Sequence, residues 1–268
     1  MRILNVFAMT VGLIAGLCFT AADAQPVSSC LAVADRSLPI RTIALKAASL
    51  AQDEVRITFT GHATFLIESA GGVVVATDYA GYLPDGVIPT VATMNRAHRT
   101  HYTDTPSPEI AHILRGWSID GTPARHHVTV GDMVIRNVTT DIRDWSGGRI
   151  PDGNSIFIFE VGGLCIGHLG HLHHTLGPDR IAQIGRLDVV MVPVDGSYTM
   201  DQASMVEVLR ALRAQLVIPM HYFGPDTLAR FLGQMKGEFA VETSASPTVV
   251  VSMKSLPDEP TVLVLPGH

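Results

Sequence analysis

Four short segments of the chain put a polar or imidazole side chain where an apolar, β-type run stops. They are Gly61-His62-Ala63 after VRITFT, Thr77-Asp78-Tyr79 after VVVA, the histidine-rich stretch GHLGHLHH after LCI, and Met220-His221-Tyr222 after LVIP. Strand ends along one edge of a sheet are held rigidly, so groups far apart in sequence can converge there on a ligand. A chain with this pattern needs its strands side by side with their ends level.

The strand pattern itself is clear. VRITFT (55–60), ATFLIES (63–69) and VVVAT (73–77), separated by Gly61-His62 and Gly71-Gly72, predict successive antiparallel strands. HVTV, MVIRNV, SIFIFEV and LCIGHL form a second group, with Gly131-Asp132 and Gly162-Gly163 as tight turns. The chain then changes character. DVVMVPV (188–194) reads as a buried strand, residues 202–214 carry Met205, Leu209 and Leu212 at helical spacing, and LVIPM (216–220) is another strand, which together make a β-helix-β unit. A helix over DTLARFLGQM and strands over TVVVSM and TVLVL complete an α+β domain of layered sheets with outer helices, residues 55–268.

Residues 1–24 read as a signal peptide: Met1-Arg2 is a short basic start, Leu4 to Phe19 is nearly all apolar, and Ala22-Asp23-Ala24 fits a small-x-small cleavage site. Residues 25–54 lack periodicity and read as an N-terminal arm. The expected mature protein is periplasmic or secreted, without stable membrane insertion. Cleavage removes Arg2 and Asp23 together, so the formal charge stays at −6, a field that repels nucleic acid. Cys30 and Cys165 remain, and two readings stay open: a disulfide between them, or Cys165 as a buried free thiol.

Four of the chain's twelve histidines, His168, His171, His173 and His174, fall within seven positions. Imidazole is the commonest side-chain ligand for borderline metals, so the cluster points to metal or proton chemistry. MNRAHRTHYTD (94–104) adds His98 and His101, which one helical turn would place on one face. No G-x-S-x-G elbow supports a serine hydrolase, and no glycine pattern is followed by the helix that a phosphate-binding turn needs.

In this order ITFTGHATFLIES, ATDYAG, the HLGHLHH run and PVDGSYT followed by VIPMHY resemble the metallo-β-lactamase-fold hydrolases, and within them the ascorbate-6-phosphate lactonase-like branch, over roughly residues 55–224. The resemblance implies an αββα four-layer sandwich with two mixed sheets inside and helices outside. It matches Asp78 to a structural carboxylate behind the metal ligands, and His98, His101 and His221 to ligand positions. Three departures stand out: Arg96 and Thr100 occupy places of a ligand His and Asp, His171 stands at the bridging Asp, and residues 138–148 offer no His.

The expected site is therefore one Zn²⁺ rather than two, or another divalent ion, held by His98, His101, His171 and His221. His62, Arg96 and Asp195 are expected in the pocket, and Asp78, His168 and His174 behind the ligands or lining it. His173 is expected to face outward, since neighbours in one turn cannot all point inward. The implied activity is hydrolysis of an ester, lactone, amide or phosphoester bond in a small molecule by water activated on the metal. Arg96 could bind an anionic substrate group or form a simple salt bridge. The alternative is a non-catalytic metal- or ligand-binding protein on the same scaffold.

Overall fold

The computed structural model describes residues 28–31 and 50–267. The expected signal peptide lies outside them. The first strands are β1 (Val55–Gly61), β2 (Thr64–Ser69), β3 (Val74–Ala76), β4 (Val91–Met94) and β5 (His112–Arg115). After them come β6 (His127–Val130), β7 (Met133–Arg143), β8 (Arg149–Val161) and β9 (Leu164–His168). Helices then alternate with strands: α1 (Pro178–Ile184), β10 (Val189–Pro193), α2 (Gln202–Leu212), β11 (Leu216–Met220) and α3 (Pro225–Met235). The chain closes with β12 (Ala240–Thr243), β13 (Thr248–Val251) and β14 (Thr261–Val264).

Two mixed sheets result. One runs β13-β1-β2-β3-β4-β5 and the other β12-β14-β11-β10-β9-β8-β7-β6. The β1-β2-β3 and β6-β7-β8-β9 stretches are antiparallel meanders, as the glycine turns predict. β10 and β11 pair in parallel across α2, which is the β-helix-β unit.

Side-chain parity decides how the layers stack. On β8, Phe157 and Phe159 point into the core between the sheets while Ile156 and Ile158 point outward; Met191 and Val190 divide in the same way on β10. The inner faces of both sheets pair Ile57, Phe65 and Ile67 with Met133, Phe157 and Ile166. The outer face of the eight-stranded sheet is covered by the apolar stripe of α2, with Met205 and Leu209, and by Phe231 and Met235 of α3. Among the described residues the outer face of the six-stranded sheet is covered by Tyr79, Leu83 and Ile110 from the loops around β4, including a 3₁₀ turn at Pro84–Gly86.

Part of the N-terminal arm is fixed rather than extended. Cys30 and Cys165 form a disulfide. Glu160 receives the Ser28 hydroxyl, the Ser29 backbone N–H and the guanidinium of buried Arg136, whose remaining donors reach the carbonyls of Gln183 and Ile184. Both buried charges are thus paired and further hydrogen-bonded, the condition under which a buried ion pair is tolerated.

Candidate metal centre

Every strand-end group singled out in the sequence lies at the same edge. β1 leads to His62, β3 to Asp78, β4 into the turn carrying His98 and His101, β9 into His168–His171, and β11 to His221. The backbone is bent there in an unusual way: His62, Asp78 and His221 all have positive φ, at 52°, 43° and 53°. Non-glycine residues seldom adopt this region, and such strain gathers at sites where geometry is imposed. The His221 N–H donates to the His62 carbonyl over 2.7 Å, tying the two bent turns together. His98 and His101 lie in a single turn closed by the His101 N–H on the His98 carbonyl at 2.9 Å, not in a helix, yet one face still carries both rings.

The rings of His98, His101, His171 and His221 converge, with one ligand atom from each lying within 4.8 Å of the others. Nε2 atoms face inward: His98 and His171 at 2.9 Å, His101 and His221 at 3.2 Å. Each Nδ1 is held from behind. His101 Nδ1 meets Asp78 Oδ2 at 2.6 Å, His98 Nδ1 the Thr100 hydroxyl at 2.6 Å, and His171 Nδ1 the His173 Nε2 at 2.6 Å. His221 Nδ1 is 3.1 Å from Asp195 Oδ1, off the ideal hydrogen-bond line but facing that carboxylate.

The carboxylates are anchored in turn. Asp78 accepts from the Asn95 amide at 2.8 Å. Asp195 accepts backbone N–H groups of Ser197, Tyr198 and Thr199. Burial pushes the Asp78 carboxyl above the usual range. Burial alone would do the same to Asp195, but hydrogen bonds from His221, Thr199 and the Ser197 amide hold it well below. The imidazoles are pushed the other way. Burial first, then the neighbouring rings, lowers His101 and His171 strongly and His98 less; His62 falls to about 4. His173 also falls to about 4, through burial and then Arg143 and His174. These five rings are therefore neutral at neutral pH, the form in which imidazole binds metals.

The donor set fits a cation. With Nδ1 of His101 and His221 turned to carboxylates, both rings direct Nε2 lone pairs at each other across 3.2 Å, an arrangement without a shared proton. Nitrogen ligands of a tetrahedral zinc stand about 3.3 Å apart, given Zn–N bonds of about 2.0–2.1 Å, so these spacings are of the right size. A carboxylate behind a ligand histidine is the arrangement that orients metal-binding imidazoles.

The remaining expected residues take different places. His168 is fully buried behind the cluster and bonds the Ala63 carbonyl at 2.8 Å, joining the two sheets. His62 lies against His221, ring centres 4.2 Å apart and the planes tilted by 42°, and meets Thr100 at 2.9 Å. Arg96 lies exposed at the mouth of a cavity of about 540 Å³ and has no ion-pair partner among the described residues. His174 is a correction: it turns into a neighbouring hollow with Asp141, Arg149 and Arg180, because the chain leaves the cluster toward Thr175 and α1. His173 is the opposite correction, facing inward against His171.

Three further contributors, Asn95, Asn154 and Phe223, escape a reading of the sequence. Asn95 ties Asp78 to the backbone of Ser155, and Asn154 accepts the His171 N–H at 2.8 Å while its amide reaches Thr140. Tyr198 and Phe223 pack on each other beside the rings. Strand-end asparagines and loop aromatics carry no local signal that separates them from ordinary turn residues.

Two facing mixed sheets with an imidazole cluster at one edge define the class of scaffold, the metallo-β-lactamase fold. The model of the Beta-lactamase superfamily domain matches residues 56–221, and the chain belongs to that superfamily. It is similar to a UPF0173 metal-dependent hydrolase of Carboxydothermus hydrogenoformans, 24% identical over 205 residues, covering 68% of this chain and 91% of the relative. One from Archaeoglobus fulgidus is 26% identical over 192 residues, covering 63% and 83%. Among solved structures, a candidate Zn-dependent hydrolase of the metallo-beta-lactamase superfamily from Thermotoga maritima superposes with a TM-score of 0.58 at 27% identity, covering 80% of this chain and all of that one.

Proposed function

We propose that this protein is an exported, zinc-dependent hydrolase of small anionic molecules. The observation that carries the reading is the convergence of four imidazoles, each held from behind, at the wall of a cavity large enough for a small molecule. His98, His101 and His221 would hold the ion, with His171 at the fourth corner. When bound, the ion supplies Lewis acidity and a water activated for attack near neutral pH on an ester, lactone, amide or phosphoester.

The chain's own residues do the rest. Asp78 and Asp195 orient His101 and His221, and the Arg143 guanidinium braces the opposite wall through the carbonyls of Ser197 and Thr199. Arg96 is left with its planar fork free at the mouth, which supports recognition of a carboxylate or phosphate. Trp145 and Tyr198 offer exposed aromatic faces beside it, suited to an apolar or ring portion of the substrate. The Cys30–Cys165 bridge supports an oxidising, periplasmic or secreted location, in line with the expected leader.

The test is metal analysis of purified protein together with turnover on lactones, β-lactams and phosphodiesters. Arg96→Ala should raise KM for an anionic substrate about tenfold and leave kcat little changed. A second reading, a non-catalytic metal-binding protein, is favoured by one observation: four imidazoles can close a tetrahedron without an open position. Stoichiometric metal with no turnover on any substrate would select it.

A further inference from the structure

Hydrogen-bond partners on the far side of each ring determine where its proton sits. The Arg143 backbone N–H donates to His173 Nδ1 over 2.8 Å. A backbone amide can only donate, so His173 Nδ1 carries a lone pair and the neutral ring bears its proton on Nε2. That Nε2 is 2.6 Å from His171 Nδ1, which must accept, leaving the His171 proton on Nε2 at the centre. There it points at His98 Nε2, 2.9 Å away. His98 accepts in turn, its Nδ1 proton goes to the Thr100 hydroxyl, and Thr100 donates to His62 Nε2.

Every donor in this row runs the same way, from a backbone amide to the pocket edge. The same rule gives a consistent answer at His168. Its Nδ1 accepts the Gly170 N–H at 3.1 Å, so its Nε2 carries the proton and meets a carbonyl, which only a donor can satisfy. His101 and His221 run oppositely, with protons directed at Asp78 and Asp195 and lone pairs at the centre.

We propose that His98, His101 and His221 alone hold the metal, and that His171 faces the same centre through Nε2–H as a hydrogen-bond donor, kept in that tautomer by His173. This deepens the functional reading above and rests on it. The related hydrolases are expected to carry a carboxylate at this position; a donor reverses the polarity of that corner. Once the His98 lone pair is committed to a cation, the His171 N–H loses its acceptor and is free for a substrate oxygen. A donor placed there stabilises negative charge as a carbonyl or phosphoryl oxygen gains it. It also keeps the fourth corner open. His173 touches His171 and not the centre, so it is a positioning residue.

Tautomers can be read directly. Long-range proton–nitrogen NMR of the metal-free, histidine-labelled chain near neutral pH should show His171 as Nε2–H and His101 and His221 as Nδ1–H; an Nδ1–H His171 overturns the proposal. X-ray absorption of the zinc-loaded chain, in which each imidazole ring adds its own multiple-scattering signal, should count three imidazoles, and four would likewise overturn the proposal. His173→Glu puts an acceptor where the donor was. The folded variant should show His171 as Nδ1–H and bind zinc about tenfold tighter; if its tautomer does not change, His173 has no positioning role. A chain that binds no zinc defeats the functional reading, whereas the metal-free spectra judge this one independently.

Discussion

Asp78 holds three things at once: a positive backbone φ, the amide of Asn95 and the Nδ1 proton of His101, all in full burial. Asn is the replacement that isolates its charge, since it tolerates left-handed backbone and nearly matches the shape. Asp78→Asn should leave the fold intact but weaken zinc binding about 10–100-fold, because the ligand ring loses the anion that makes it basic. Calorimetric titration of the folded variant would decide this, and unchanged affinity would remove Asp78 from the site. The neighbouring rings make a second prediction about pH. Folded pKa values of His62, His101, His171 and His173 lie below the ordinary 6.5, so the unfolded chain binds more protons and stability is lost as pH falls from about 6.5 toward 4. Asp78, raised by burial, contributes with the opposite sign, but it is one group against several. The melting temperature of the metal-free protein should therefore drop between pH 7 and pH 4.5, beginning near pH 6.5. A flat profile would mean that the rings are already solvated.

The elements are where most of the fold was legible and where its limits show. Parity within SIFIFEV and DVVMVPV reads directly as two-sided burial, since a period of two assigns alternate side chains to opposite faces. The His98–His101 pair was legible by spacing even though a turn rather than a helix carries it. His173 and His174 were not, because direction within an irregular turn depends on what the backbone touches. Gly170 is the cause here. Its φ is +59°, and a Cβ would come within 2.4 Å of both Asn95 Nδ2 and Asn154 Oδ1, the two amides that seat Asp78 and the His171 backbone. That glycine lets the chain pass between them and reverses which of the following rings look inward. Gly170→Ala should cost about 2–4 kcal/mol by overpacking and backbone strain, and it should reduce metal content more than an exposed Gly177→Ala does. Urea unfolding and elemental analysis of both variants would test it. Equal behaviour of the two would show that the passage is looser than its contacts.

At the scale of the whole molecule, the arm and the sheet form one unit through Cys30–Cys165, whose partners are 135 residues apart in sequence. The sequence left a disulfide and a free thiol equally open, because pairing depends on where the arm docks. Arm docking in turn depends on Glu160, a buried carboxylate whose pull on Ser28 and Ser29 has no signature in local composition. A cross-link closing a loop of this order restricts the unfolded chain by about 4–5 kcal/mol in the entropy model, and loss of native bridges costs about 2–5 kcal/mol. Cys30→Ser should therefore lower unfolding free energy by about 2–5 kcal/mol, with the metal cluster still formed, since Cys165 lies near the start of β9, at the opposite end of that strand from the histidine edge. Expression with and without residues 1–24, the expected leader, gives the complete test. Protein recovered from the periplasm should have the intact mass of a chain beginning at Gln25 with the bridge closed. Cytoplasmic protein lacking residues 1–24 should be reduced and weaker to urea by the same margin as Cys30→Ser. A reduced chain as stable as the oxidised one would mean that Glu160 and Arg136 hold the arm unaided.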